Sequence, residues 1–325
     1  MSNEDMGELP DTMAQEMARN KKEAEVQSDL LSQLLDHVSS TNYIPWEKVQ
    51  LPSKGIYYED KMPNGYLEVK PMGVDVDKML TNQRLAQSGE LLNKIVESCT
   101  RFPPDMNVRE LLAGDFNYLL YYLRGITHGP TYEFVSDCPH CGTKNVYEFD
   151  LTNLYSTVKN NHPDYPEEPM SVLLPKLSET FGKDVYVMVR LVRVDDIMKM
   201  SQPGNDEIFD PVKHGEVRVR NKNKNNKTII NNKSKDDISK IYENNMKQQI
   251  VGFDIDGVIF TDARKFQITN KLHQQDTSTI REFIDDISPG IDTSLEVVCN
   301  NSECGKESMI SLPWNENFFR PGKKH

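Results

Sequence analysis

Four of the five cysteines in this 325-residue chain stand in two pairs, each in the same local setting. The first lies in Tyr132-Glu133-Phe134-Val135-Ser136-Asp137-Cys138-Pro139-His140-Cys141-Gly142, followed by Val146-Tyr147-Glu148-Phe149. The second lies in Leu295-Glu296-Val297-Val298-Cys299-Asn300-Asn301-Ser302-Glu303-Cys304-Gly305, followed by Met309-Ile310-Ser311-Leu312. Both read as strand, cysteine, short turn, Cys-Gly, second strand. That is the pattern of a zinc knuckle, whose turn aims backbone N–H groups at thiolates and whose glycine permits a positive φ. One knuckle supplies two ligands and tetrahedral zinc takes four. Cys138, Cys141, Cys299 and Cys304 are therefore expected to share one structural Zn2+, with no open catalytic position. The competing reading is four reduced structural thiols. A redox role for Cys138 and Cys141 is disfavoured, because their turn opens onto a strand and thioredoxin-type sites stand at helix N-termini. His140, between two better ligands, is expected to face solvent, and Cys99 to be a buried small hydrophobe.

A second constellation is Ile250-Val251-Gly252-Phe253-Asp254-Ile255-Asp256-Gly257-Val258. It looks like the nucleophile motif of haloacid-dehalogenase-type phosphatases, which would use Asp254 as nucleophile and Asp256 as general acid around Mg2+. Only 69 residues follow Asp256, and a cysteine pair occupies part of them. The alternative is a hairpin turning at Asp256-Gly257. No phosphate-binding Gly-x4-Gly-Lys-Ser/Thr, His-Glu-x2-His or Gly-x-Ser-x-Gly occurs, so no enzyme is expected.

The elements that must position the cysteines show an order that recurs. Leu51-Pro52, the strand ending Val69-Lys70-Pro71-Met72 and Val74-Asp75-Val76-Asp77-Lys78-Met79 have a counterpart in Leu174-Pro175, Val185 to Val192 and Val194-Asp195-Asp196-Ile197-Met198-Lys199-Met200. Leu91 to Val96 is echoed by Asn244 to Val251, and Val108-Arg109-Glu110-Leu111-Leu112 by Ile280-Arg281-Glu282-Phe283-Ile284. Each series ends in a cysteine pair, which reads as an internal duplication. Alternating Tyr66, Glu68 and Lys70 against Leu67 and Val69 predicts a half-buried strand. Residues 76–99 and 108–126 read as helices, the second dense enough in Leu and Tyr to be buried on most sides. The expected fold class is α+β: two tandem repeats of strand hairpin, helices and zinc knuckle, joined as a composite zinc ribbon. Its expected parts are a polar N-terminal arm with an amphipathic helix (1–42), a first repeat (43–150), a linker (151–169), a second repeat (170–319) interrupted by a disordered Lys/Asn-rich insertion (201–235), and a basic tail (320–325).

Composition narrows the function classes. The net charge of −12 argues against general nucleic-acid binding, which would leave a zinc-ribbon regulator as a disfavoured alternative. The insertion is locally basic but has no interleaved aromatic residue to stack on bases. No apolar run approaches the roughly 20 residues of a membrane span. The acidic N-terminus lacks a secretory h-region, and paired thiols without one fit a reducing compartment. In the arm, Leu30, Leu31, Leu34, Leu35 and Val38 fall on one helical stripe, which either packs on its own domain or docks on a partner.

Leu51-Pro52-Ser53-Lys54-Gly55, the strand ending Val69-Lys70-Pro71-Met72, and Asp115-Phe116-Asn117-Tyr118-Leu119-Leu120-Tyr121-Tyr122-Leu123-Arg124 before the first cysteine pair stand in an order that resembles that of the T-even-type phage baseplate hub proteins. The resemblance extends to Glu282-Phe283-Ile284-Asp285, the second pair and Phe318-Phe319, and departs from the pattern at the Cys-x4-Cys spacing and the insertion. It implies a non-enzymatic tail protein of a contractile-tailed phage, made in the host bacterial cytoplasm. The protein would act in baseplate hub assembly, as component or assembly chaperone, with other tail and hub proteins as partners.

Overall fold

In the computed structural model of the chain, residues 11–40, 44–159, 166–201, 246–262, 264–312 and 318–319 are described. Residues 202–235 of the expected insertion and the tail 320–325 lie outside them. The chain divides into two units, Met1–Trp46 and Glu47–His325. In the first, helix α1 (Asp11–Ser39) carries an exposed Arg19–Glu23 ion pair one turn apart. Val26, Leu30, Leu31, Leu34, Leu35 and Val38 are exposed, at 47% to 59% of their surface. Among the described residues, no helix is long and apolar enough to cross a membrane.

The second unit begins with β1 (Glu47–Gln50), β2 (Tyr66–Val69), α2 (Val74–Leu80), α3 (Gln83–Gln87), α4 (Leu91–Cys99) and β3 (Thr100–Arg101). Then come α5 (Ala113–His128) and a ribbon of β4 (Thr131–Asp137) and β5 (Lys144–Asp150). After α6 (Thr152–Tyr155) and β6 (Val158–Lys159) follow β7 (Met170–Leu173), α7 (Pro175–Phe181), β8 (Val185–Val189) and α8 (Val194–Ser201). The last part holds β9 (Ile250–Ile255), β10 (Val258–Phe260), α9 (Arg264–Thr269), α10 (Gln274–Ile287), β11 (Gly290–Ile291) and a second ribbon, β12 (Ser294–Val298) and β13 (Glu307–Ser311). All strand pairings are antiparallel: β1-β2-β3, β10-β9-β8-β7, β11-β6, β4-β5 and β12-β13.

Local pattern accounts for much of this. Alternation in β2 buries Leu67 and Val69 and leaves Tyr66 outside. Helix α5 buries Phe116, Tyr118, Leu119, Leu120, Tyr121 and Leu123, so apolar side chains leave it on nearly every side. Cys99 ends α4 with no exposure at all. Residues 76–99 are not one helix, however. The Asn82 side chain accepts the Arg84 and Leu85 N–H groups and starts a new helix there, as an N-cap does. In the described parts of the expected linker, β6 pairs with β11, and the Glu168 carboxylate accepts the Leu191 N–H at 2.6 Å and binds Arg193 at 2.7 Å.

The proposed echo of Val108–Leu112 in Ile280–Ile284 fails. Val108–Glu110 is a single tight turn closed by a reciprocal Asn107–Glu110 cap, whereas Ile280–Ile284 lies inside α10. Other positions do correspond in their hydrogen bonds. Lys70 N–H donates to Cys99 O at 2.9 Å, and Arg190 N–H donates to Gln249 O at 2.9 Å. After each Leu-Pro, a backbone N–H donates to a buried aspartate at the start of a later helix: Ser53 to Asp115 at 2.9 Å, Lys176 to Asp276 at 2.8 Å. Asp115 stands 23 residues before Cys138 and Asp276 stands 23 before Cys299.

One buried cluster runs through both halves, joining Val69, Ile95 and Leu119 to Val187, Phe253 and Ile280. Backbone bonds cross between them: Ala113 N–H donates to Val192 O and Val194 N–H to Leu111 O, both at 2.9 Å. Phe318 packs edge-on against Tyr121 and Tyr132, so the second half also closes over the first.

Candidate metal centre

The first ribbon is aimed by its apolar face. Tyr132 and Phe134 are buried on β4 and lie across from Phe149 and Tyr147 on β5, while Glu133 and Val135 point out. The chain beyond β4 turns at once: Cys138 N–H donates to Thr143 O at 2.9 Å and Gly142 N–H to Cys138 O at 2.8 Å. In the second ribbon Cys299 N–H donates to Lys306 O at 3.0 Å, and the Cys304 and Gly305 N–H groups share Asn301 O at 2.9 Å. Gly142 and Gly305 hold φ values of 72° and 52° with no atom near a would-be Cβ, so backbone conformation alone asks for glycine there.

The two turns bring the four expected sulfurs together, all within 4.8 Å of one another. The close pairs run between the halves: Cys138 Sγ lies 3.9 Å from Cys304 Sγ, and Cys141 Sγ lies 3.6 Å from Cys299 Sγ. A tetrahedron of sulfurs around a metal at about 2.3 Å has edges of about 3.8 Å, so these spacings fit one ion. They are far longer than the roughly 2.05 Å of a disulfide, and all five cysteines are free thiols. The set can therefore hold a metal ion, and among the described residues no other group of three or more His, Cys, Asp or Glu side chains does so.

Charge in this cluster is unevenly spread. Hydrogen bonds from the Thr143 side chain and backbone push the Cys141 thiol down to about 6. For Cys304 the Lys306 backbone N–H works downward, but burial and the neighbouring thiols prevail and raise it to about 11. Four thiols this close cannot all ionise unaided, and a cation entering among them displaces their remaining protons.

The other singled-out residues lie elsewhere. His140 is exposed in the first turn, outside the sulfur cluster. Asp254 is in β9 and its carboxylate accepts the Gly257 N–H at 2.8 Å, closing the β9–β10 hairpin. Asp256, at φ 53° in that hairpin's turn, pairs with Lys183 at 2.6 Å.

Cysteine spacing did not point to the polar groups around the sulfurs. Asn145, 2% exposed, donates through Nδ2 to Thr143 O at 3.0 Å and to Cys299 Sγ at 3.7 Å, and accepts the Asn300 N–H at 2.9 Å. Asn301 Nδ2 donates to Thr143 Oγ1 at 3.1 Å, and that hydroxyl lies 3.3 Å from Cys141 Sγ. Tyr147 Oη donates to Val298 O at 3.2 Å. The available signal was alternation: Asn145 shares the inward face of β5 with Tyr147 and Phe149, where an amide is out of place unless it has partners.

A family model described as T4 bacteriophage base plate protein matches residues 55–320. No curated protein and no solved structure matches the chain.

Proposed function

The chain belongs to the T4 bacteriophage base plate protein family, and from that premise we propose that it is a non-enzymatic part of baseplate hub assembly, clamped by one structural zinc. The family match over residues 55–320 carries this reading. On it, the protein is made in the host bacterial cytoplasm and works against other tail and hub proteins, as component or assembly chaperone. Cys138, Cys141, Cys299 and Cys304 are the zinc ligands. Four thiolates are the donor set that soft-leaning Zn2+ takes in closed sites, and such a shell leaves no position for substrate. The matching hydrogen bonds of Asp115 and Asp276, and of Lys70 and Arg190, support two repeats of one ancestral unit. The ribbons β4-β5 and β12-β13 would then form a composite zinc ribbon, with the ion near the pseudo-twofold between halves.

The exposed stripe Leu30, Leu31, Leu34, Leu35 and Val38 is the docking strip in this reading. Replacing Leu31 and Leu34 together by Glu should leave soluble, zinc-loaded protein that fails to enter baseplates assembled in infected cells. Normal incorporation of the double variant would remove the strip from the proposal. A catalytic reading centred on Asp254 and Asp256 predicts Mg2+-dependent phosphate-ester hydrolysis lost in Asp254→Asn; the assembly reading predicts no turnover in either protein.

A further inference from the structure

A buried carboxamide has two N–H donors and an oxygen acceptor to satisfy. Asn145 satisfies them in an unusual division. One Nδ2 contact stays in its own turn, at Thr143 O, 3.0 Å away. The other two partners belong to the opposite half: Cys299 Sγ, 3.7 Å from Nδ2 and 3.8 Å from Oδ1, where the thiol donates to Oδ1 while protonated and accepts from Nδ2 as a thiolate, and the Asn300 N–H at 2.9 Å from Oδ1. Asn145 thus grips both the sulfur of Cys299 and the backbone just beyond it. An N–H aimed at a thiolate withdraws charge from it and fixes the direction of its lone pairs. Cys299 is itself buried, 5% exposed, so water does not substitute for that donor.

We propose that Asn145 is the positioning residue of the metal centre, holding Cys299 in the first knuckle's frame so that two half-sites from distant parts of the chain meet one ion in register. This rests on the metal reading above. Groups that orient metal ligands typically cost about 10–100-fold in metal affinity when removed. A merely structural role predicts a different pattern, because Tyr147 also bridges the ribbons, through a hydrogen bond given to Val298 O and not to a sulfur.

The test is metal affinity by chelator competition on the full chain, with Co2+ charge-transfer and d–d bands as a readout of tetrahedral thiolate geometry. Asn145→Asp keeps the shape and the acceptor for Asn300 but donates nothing to sulfur. Asn145→Ala removes both. Each should lose about 10–100-fold in affinity and alter the Co2+ bands, while Tyr147→Phe stays within about threefold of the parent. Unchanged affinity in both Asn145 variants, or an equal loss in Tyr147→Phe, overturns the proposal. A measurement on the unaltered protein guards against variants that do not fold. In 113Cd-loaded, 15N-labelled protein, one Asn145 carboxamide proton should show scalar coupling to cadmium through sulfur, and its absence overturns the assignment. If the parent takes up neither Co2+ nor Cd2+, the metal reading itself falls and carries this proposal with it.

Discussion

Removing the Asp115 carboxylate should be among the costliest single changes in the second unit, and the structure says by how much. The side chain is fully buried; one oxygen accepts the Ser53 N–H at 2.9 Å and the other the Tyr58 O–H at 2.6 Å. Tyr58 Oη in turn accepts the Leu112 N–H at 2.8 Å, so the aspartate anchors a chain of three buried groups. Asp115→Ala strands two donors at about 1–3 kcal/mol each, or about 2–6 kcal/mol together. Asp115→Asn keeps an acceptor for Ser53 and should cost about 1–2 kcal/mol. Asp276 holds the Lys176 and Leu177 N–H groups at 2.8 and 3.1 Å, capping α7 from a different helix. Those amides are only part-buried, so Asp276→Ala should cost about 1–2 kcal/mol, the range of a lost N-cap. Urea unfolding of the protein, read as a midpoint shift at constant slope, measures all three. The pH dependence adds a signature. Burial raises the Asp115 pKa, more than its bonds from Ser53 and Tyr58 lower it. The folded state therefore holds this proton more tightly than the unfolded chain. Its contribution is most favourable in acid and declines as pH rises above the ordinary aspartate value of about 3.9. The margin of parent over Asp115→Asn should narrow over that rise. A cost below about 1 kcal/mol for Asp115→Ala, or a margin that widens with pH, would refute the account.

Elemental analysis of purified protein should find one zinc per chain, and Cys138→Ser and Cys299→Ser should each abolish it with similar losses of thermal stability; strongly unequal losses would count against a shared ion. The Asp196 carboxylate takes both terminal nitrogens of Arg190, at 2.6 and 2.8 Å, and the Arg193 N–H at 2.9 Å. Burial works upward on its pKa, but Arg190 and the Arg193 N–H prevail and lower it, so its stabilisation is present above the unfolded aspartate value and lost as pH falls through the folded one. Asp196→Asn should cost about 2 kcal/mol at pH 7 by denaturant titration. A difference that persists undiminished in acid would contradict that assignment.

What could be read in advance was local. Cysteine pairs between alternating strands, Gly142 and Gly305 at positive φ, the Asp256-Gly257 hairpin turn and the buried Cys99 each follow from a few adjacent residues. The family resemblance lay in the order of short motifs, and the family match over 55–320 agrees with it. The misreadings concern partners far away in sequence. Val108–Leu112 and Ile280–Ile284 share residue types, but a capped turn and a helix interior use them differently. The hydrogen bonds that do correspond centre on an aspartate whose importance shows only once a Leu-Pro loop 62 residues before it donates to it. Asn145 was missed for the same reason: nothing nearby announces that its amide serves a sulfur 154 residues on.

The pairing of sulfurs across the halves also sets a timetable. Cys141 and Cys299 are 158 residues apart. At about 5–20 residues per second, a ribosome takes roughly 8–30 s to deliver the second after the first. For that interval Cys138 and Cys141 stand without Cys299 and Cys304, so the first turn holds only half of the four-sulfur set. Neighbouring nascent chains on one message carry the same half set, so a four-sulfur site made of one chain's own cysteines forms only after β12 and β13 have closed against their own first ribbon.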